Sequence, residues 1–330
     1  MTILYSVVIF SILIFVHELG HFGVAKATGI KVKEFALGMG PAFFKKTKGE
    51  TQYSLRLFPI GGFCAMEGED EDSEDERAFN NKPFFVKAGV LVAGSAMNLL
   101  LAILILSSIV LYFGTPTTTL EKISAGSPAE VAGILAGDKV TSINKIKINA
   151  WEDVSSAINS GGSEPVNVEI IRNGEIISKD ITPIEEDGRM IIGVTPTFQK
   201  NPISAVKYGA LATWDMGGKM IDVIGQLFTG EVSTKELMGP VGIVNAVGDS
   251  AKYGFAYVAQ LAALISLNLA IVNMLPLPAL DGGRILLLIA RKFTGKVITD
   301  EIEGKIHLIG FALLIGLMVY VTYQDVLRIF

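Results

Sequence analysis

Apolar residues along the chain gather into four long windows, and between the second and third the pattern changes. A hydrocarbon core about 30 Å thick needs roughly 20 mostly apolar residues as helix. Ile3 to Phe22 qualifies, being apolar up to Val16. Ala88 to Phe113 and Gly254 to Leu280 contain no charged residue, and Ile306 to Tyr323 is just long enough to cross. Four transmembrane helices are therefore expected. From Thr117 to about Thr197 the pattern is strand-like: Val166, Val168 and Ile170 alternate with Asn167, Glu169 and Ile171. The turn pair Asn173-Gly174 and a second run, Glu175 to Ile181, follow and predict a hairpin. Ala150-Trp151-Glu152-Asp153 signals a helix start. Beyond this soluble module, Val206, Ala210, Trp214, Gly217, Ile221, Ile224 and Phe228 recur at helical spacing, with Lys207, Asp215, Lys219 and Asp222 on other faces. That is an amphipathic helix, and the sequence offers it two places: the membrane surface or the face of the module.

The composition agrees with a membrane chain. Half of the 330 residues are apolar, 18% are charged and mean hydropathy is +0.48. A net charge of −5 gives no basic footprint for phosphates, so nucleic acid is excluded as a partner. Cys64 is the single cysteine, so no intrachain disulfide can form. Glu67 to Glu76 holds eight acidic residues and no basic ones, and setting them aside turns −5 into +3 for the rest. This run reads as a solvated loop, with contact to a basic partner as the other reading.

A cleaved leader would need a basic n-region, but no Lys or Arg precedes Lys26 and the window ends in His17, Glu18 and His21. The first window is expected to be retained. Lys26, Lys31, Lys33, Lys45, Lys46, Lys48 and Arg56 follow it, and Arg284, Arg291, Lys292, Lys296 and Lys305 lie between the third and fourth windows. The positive-inside rule makes both connections cytoplasmic. The soluble module and both termini are then extracytoplasmic.

The chemistry sits in the first and third windows. His17-Glu18-Leu19-Gly20-His21 is an HExxH motif: on a helix the two imidazoles share a face and converge on one metal, with Glu18 in reach of the activated water as general base. Two His and a Glu ending an apolar span are costly in a bilayer without a function. Zinc needs a third ligand, and apart from His307 the chain has no other histidine. Asp281 is the candidate, at the end of Asn273-Met274-Leu275-Pro276-Leu277-Pro278-Ala279-Leu280-Asp281-Gly282-Gly283. Prolines and glycines this dense argue for a broken helix, tolerated at membrane depth where it lines a wet cavity. The residues alone leave Asp281 two roles, ligand or N-cap of the helix that follows.

Two resemblances sharpen this. Gly126 to Val154, reading GSPAEVAGILAGDKVTSINKIKINAWEDV, resembles a PDZ domain over about eighty residues, which implies a groove for an extended peptide ligand or a spacer that filters substrates. HELGH, NMLPLPALDGG and an inserted PDZ domain, in that order, resemble the site-2 protease family of intramembrane zinc metalloproteases, peptidase family M50, in its regulator-of-sigma-E protease (RseP-like) branch. The resemblance implies a polytopic α-helical membrane protein of four transmembrane helices, with a membrane-associated β-loop and an inserted α+β PDZ domain. The parts would be an N-terminal membrane half at 1–114, the PDZ domain at 115–197, the amphipathic helix and connector at 198–253, and a C-terminal membrane half at 254–330. It further implies one zinc ion held by His17, His21 and Asp281, Glu18 as catalytic base, and Asn273 on the substrate backbone. Gly94-Ser95-Ala96-Met97-Asn98 is similar to the family's GxxxN element, which makes Asn98 either a shaper of the substrate site or an interhelical hydrogen-bonding group. Phe35 to Pro41 and Tyr53 to Gly62 are similar to the β-loop, implying an edge strand that holds unwound substrate. Substrates would be transmembrane proteins such as anti-sigma factors or remnant signal peptides, in a bacterial inner membrane, with the metal near the cytoplasmic side. One PDZ domain stands where some members have two. A non-catalytic PDZ scaffold would not need the intact HExxH and aspartate set. A metal transporter would repeat such residues through several spans.

Overall fold

The computed structural model describes residues 2–69, 73–233, 238–294 and 300–329. Residues 70–72 of the acidic run, Lys296 and the side chain of Phe228 lie outside the described residues. The chain divides into two compact units, one made of Met1–Ile109 with Tyr208–Phe330, the other of Val110–Lys207.

In the first unit, four helices are long and apolar enough to cross a membrane: α1 (Thr2–Ala27), α2 (Phe84–Phe113), α7 (Phe255–Asn273) and α9 (Asp300–Ile329, its apolar part Ile302–Arg328). The chain is a polytopic membrane protein by this measure. The third helix ends at Asn273, and the rest of its apolar window, to residue 280, is the turn that its prolines and glycines predicted. Pro276 and Pro278 lack N–H groups and their rings clash with a continuing helix, so the chain turns. It re-enters helix as α8 (Asp281–Thr294). The fourth helix exceeds its window at both ends because its polar flanks extend it beyond the membrane-thick part.

Between α1 and α2 lie β1 (Val32–Lys48) and β2 (Thr51–Met66). Breakers in this stretch suggested short separate strands. Instead β1 and β2 run through them and curl: residues 32–37 pair with 62–66 and also with 52–55, while 42–48 pair with 51–56. Gly38, Gly40 and Gly61 take φ of 88°, 82° and 92° and supply the bends. Phe35, Cys64 and Met66 bury the base of this curled hairpin against Ala25, Val90 and Leu91 of α1 and α2. At the turn, Arg77 first and Lys26 second pull the Glu50 carboxyl down to about 2.

Close approach at small residues joins the helices, since in lipid packing replaces the hydrophobic effect. A Cβ at Gly20 would meet the Ala93 carbonyl at 2.3 Å, and one at Gly209 would meet Ser107 Oγ at 2.2 Å. Gly209 belongs to α5 (Pro202–Thr229), whose Ala212, Met216 and Met220 pack against Ala102, Leu106, Ala263 and Leu267 of α2 and α7. On the apolar face read from sequence, Trp214 is 84% exposed and Ile221 60%, which suits the membrane surface, the first of the two places the sequence offered. The sequence did not signal α6 (Pro240–Tyr253), which α9 ties down as Gly239 N–H and Gly242 N–H donate to Asp325 at 3.2 and 2.7 Å.

The second unit carries a sheet in the order β10 (Val194–Gln199), β3 (Thr115–Ile123), β4 (Lys139–Ile143), β6 (Val166–Arg172), β7 (Glu175–Ile181), with β5 (Ile146–Lys147) on β4. Short β8 (Ile184–Glu186) and β9 (Arg189–Ile191) pair with each other. Val166, Val168 and Ile170 turn inward onto Val140, Ile143 and Ile181 as the alternation required. Asn173 and Gly174 take φ of 54° and 87°, the primed turn their identities predict. α3 (Pro128–Val131) starts at a Ser127 cap, and α4 (Trp151–Ser160) starts where expected, with Asp153 accepting from the N–H groups of Asn149 and Ala150.

Candidate metal centre and active site

α1 ends in the HExxH residues, and the i, i+4 spacing sets His17 and His21 on one face with their Nε2 atoms 3.2 Å apart. The turn after α7 delivers Asp281 to the same point. Its Oδ2 lies 3.3 Å from His17 Nε2 and 3.6 Å from His21 Nε2. His21 Nδ1 donates to the Val90 carbonyl at 2.8 Å, which leaves Nε2 as a bare lone pair. Three potential metal-ligand atoms, one on an anion, face each other at these distances, and Asp281 Oδ2 is buried with no hydrogen-bond partner, an arrangement that a cation at its centre would satisfy. Tetrahedral zinc bonds of about 2.0–2.2 Å would set the donors about 3.3–3.5 Å apart, so the triangle fits zinc.

Gly94 of α2 makes room for the cluster. A Cβ there would stand 2.4 Å from His21 Nε2 and 2.6 Å from His17 Cε1. A cavity of about 530 Å³ opens on the triad, walled by Glu18, residues 63–66 of β2, Asn273, Ala279 and Arg284. The β2 edge touches Glu18, for a Cβ on Gly62 would come within 3.4 Å of Glu18 Cγ. Asn273 Nδ2 lies 3.4 Å from His17 Nε2, on the cavity side. Asn98 does not line the cavity: it is fully buried, with its Nδ2 3.4 Å from His17 Nδ1 and its carbonyl accepting from Ser266 Oγ at 2.8 Å. Of its two sequence readings, the interhelical one describes its position.

Among the described residues of the acidic run, Glu74 and Glu76 are exposed, as in a solvated loop, while Glu67, Glu69 and Asp75 are paired. Glu67 lies 3.3 Å from both Lys31 and Lys33, Asp75 lies 3.4 Å from Lys31, and Glu69 pairs with Arg284, one turn past Asp281. No local pattern could have signalled the Glu69–Arg284 pair, whose members are 215 residues apart. The Val90 carbonyl and Gly94 escaped notice because a backbone acceptor and a missing side chain carry no motif of their own.

A family model described as Peptidase family M50 matches residues 5–317. The regulator of sigma-W protease RasP of Bacillus subtilis and the zinc metalloprotease RasP of Shouchella clausii are each 31% identical over all of this chain and 99% of their own length. A Clostridium acetobutylicum chain with a provisional zinc metalloprotease name is 39% identical over 98% of this chain and 97% of its own.

Proposed function

Because the chain belongs to peptidase family M50 and is a zinc metalloprotease, we propose that it hydrolyses peptide bonds within or beside the transmembrane segments of other membrane proteins. The observation that carries this reading is the His17, His21 and Asp281 donor triangle at the wall of a cavity set among membrane-crossing helices. When bound, zinc supplies a Lewis acid that polarises the scissile carbonyl and lowers the pKa of water toward about 7. Glu18 is the base, its carboxylate taking the proton from the attacking water and passing it to the leaving amine nitrogen. Asn273 offers its amide to the substrate backbone. Asn98 serves His17 rather than the substrate: its Nδ2 lies 3.4 Å from His17 Nδ1 and steadies the ring whose Nε2 faces the metal position.

Helix hydrogen bonds hide the carbonyls of a transmembrane segment, so cleavage requires local unwinding. The β2 edge at residues 62–66, beside Glu18, is suited to hold the unwound strand extended. The unit at Val110–Lys207 is read as a PDZ domain that binds a peptide or filters substrates by size. One relative is named for regulating sigma-W, which favours anti-sigma factors as substrates here, with remnant signal peptides the other class. The lysines around the hairpin support a reading with the metal near the cytoplasmic side and the PDZ domain and both termini outside. Membrane proteomics on cells carrying wild-type or Glu18→Gln protein tests the reading. Uncleaved transmembrane fragments should accumulate in the variant, and identical profiles would oppose it.

A further inference from the structure

His307 is the one histidine outside the HExxH motif, and it stands near the start of α9, far along the chain from either half of the site. Its Nδ1 accepts the N–H of Ala279 at 3.0 Å. The turn between α7 and α8 explains why that bond matters. Met274 and Leu275 donate to Ile271 and Val272, Leu277 to Leu275, and Leu280 to Leu277. Pro276 and Pro278 have no N–H. Ala279 is thus the one residue of 274–280 whose N–H bonds to another element, and its φ of 71° is a left-handed conformation that alanine keeps only under outside constraint. One turn further along α9, Gly310 lets the helix close on the same turn, where a Cβ would meet Pro278 Cβ at 2.3 Å. Beneath His307, Glu303 Oε1 lies 3.5 Å from Nε2 and its Oε2 lies 3.0 Å from Arg291. A carboxylate on that side favours the proton on Nε2 and leaves Nδ1 free to accept.

We propose that His307 is a positioning residue for Asp281: it clamps the Ala279 N–H and so fixes the turn that aims the carboxylate at the two HExxH histidines. It neither touches substrate nor joins the donor triangle. Loss of the clamp leaves a half-buried N–H without its partner and lets a strained residue relax, two residues from a group whose oxygen must sit 3.3 to 3.6 Å from both imidazoles.

The inference rests on the zinc-site reading above, and the test separates the two. Purified full-length wild-type, His307→Leu, His307→Asn and Asp281→Ala chains are titrated with zinc against a chelator, and their melting is followed in excess chelator. The asparagine Oδ1 can stand where Nδ1 stood. The expected result is about tenfold weaker zinc binding in His307→Leu, near wild-type binding in His307→Asn, and metal-free melting in His307→Asn equal to wild type. Wild-type affinity in His307→Leu, or equal losses in both His307 variants, would overturn the clamp. Undiminished binding in Asp281→Ala would instead sink the zinc-site reading. Should the leucine variant not fold, hydrogen exchange on the wild-type chain decides. The Ala279 amide should exchange slowly despite lying outside any helix, and fast exchange there would overturn the proposal.

Discussion

A methyl group at position 94 would stand 2.4 Å from one ligand nitrogen and 2.6 Å from the other imidazole, so it must displace a ring or push α2 off α1. Gly94→Ala is therefore expected to weaken zinc binding by at least about tenfold, read by chelator competition on the purified chain. Asn98→Leu removes the polar contact that steadies the His17 ring and should weaken binding by a similar factor. At this scale the sequence was most informative where chemistry demands a side chain. His17, His21 and Asp281, which the structure brings together, and Glu18 beside them were singled out from identity and spacing because few residue types are able to bind zinc or move its proton. Val90, Gly94 and His307 act through a carbonyl, an empty volume and a tertiary hydrogen bond, which only the fold brings to the site.

Among elements, the β4–β6 pair of the second unit offers a sharp test. Asp138 is 1% exposed and bound by two Arg172 nitrogens at 2.7 Å. Burial alone would raise its carboxyl pKa, but Arg172 and the Leu135 N–H outweigh that and hold it below the ordinary value. The folded-state pKa is thus depressed, so the stabilisation is fully present above the unfolded pKa of about 3.9 and is lost as pH falls through the folded value. Hydrogen exchange of β4 and β6 in the full chain should show Arg172→Leu destabilised by about 3 kcal/mol at neutral pH, and the difference should shrink at acid pH. A pH-independent difference would mean packing, not charge. Elements with local signals were legible: the Asn173-Gly174 turn, the alternation of β6 and the start of α4 all follow from short-range geometry. The curled hairpin was not, because glycines read as strand ends when they are bends within a strand.

For the whole molecule, the four crossing helices followed from hydropathy, since lipid imposes a length and a composition together. The packing of α5 on α2 and α7 did not, because it runs through Ala212, Met216 and Met220, which lie outside the apolar series that the helical period picked out. Sidedness rests on lysine placement and is open to direct measurement. Cys64 is buried, and burial together with nearby Glu69 pushes its thiol up, so the native chain offers a quiet background for labelling. A membrane-impermeant maleimide applied to intact cells stripped of their wall should label Glu175→Cys in the second unit and spare Lys48→Cys in the hairpin. The reverse pattern would invert the topology. The central claim is that a zinc site in the membrane unit, with Glu18 as its base, cuts peptide bonds. The most direct measurement pairs zinc content with cleavage of a transmembrane substrate in detergent, for purified wild-type and Glu18→Gln chains. The account predicts one zinc per chain in both and a rate at least about a hundredfold lower in the variant. Equal cleavage rates at equal zinc content would contradict it.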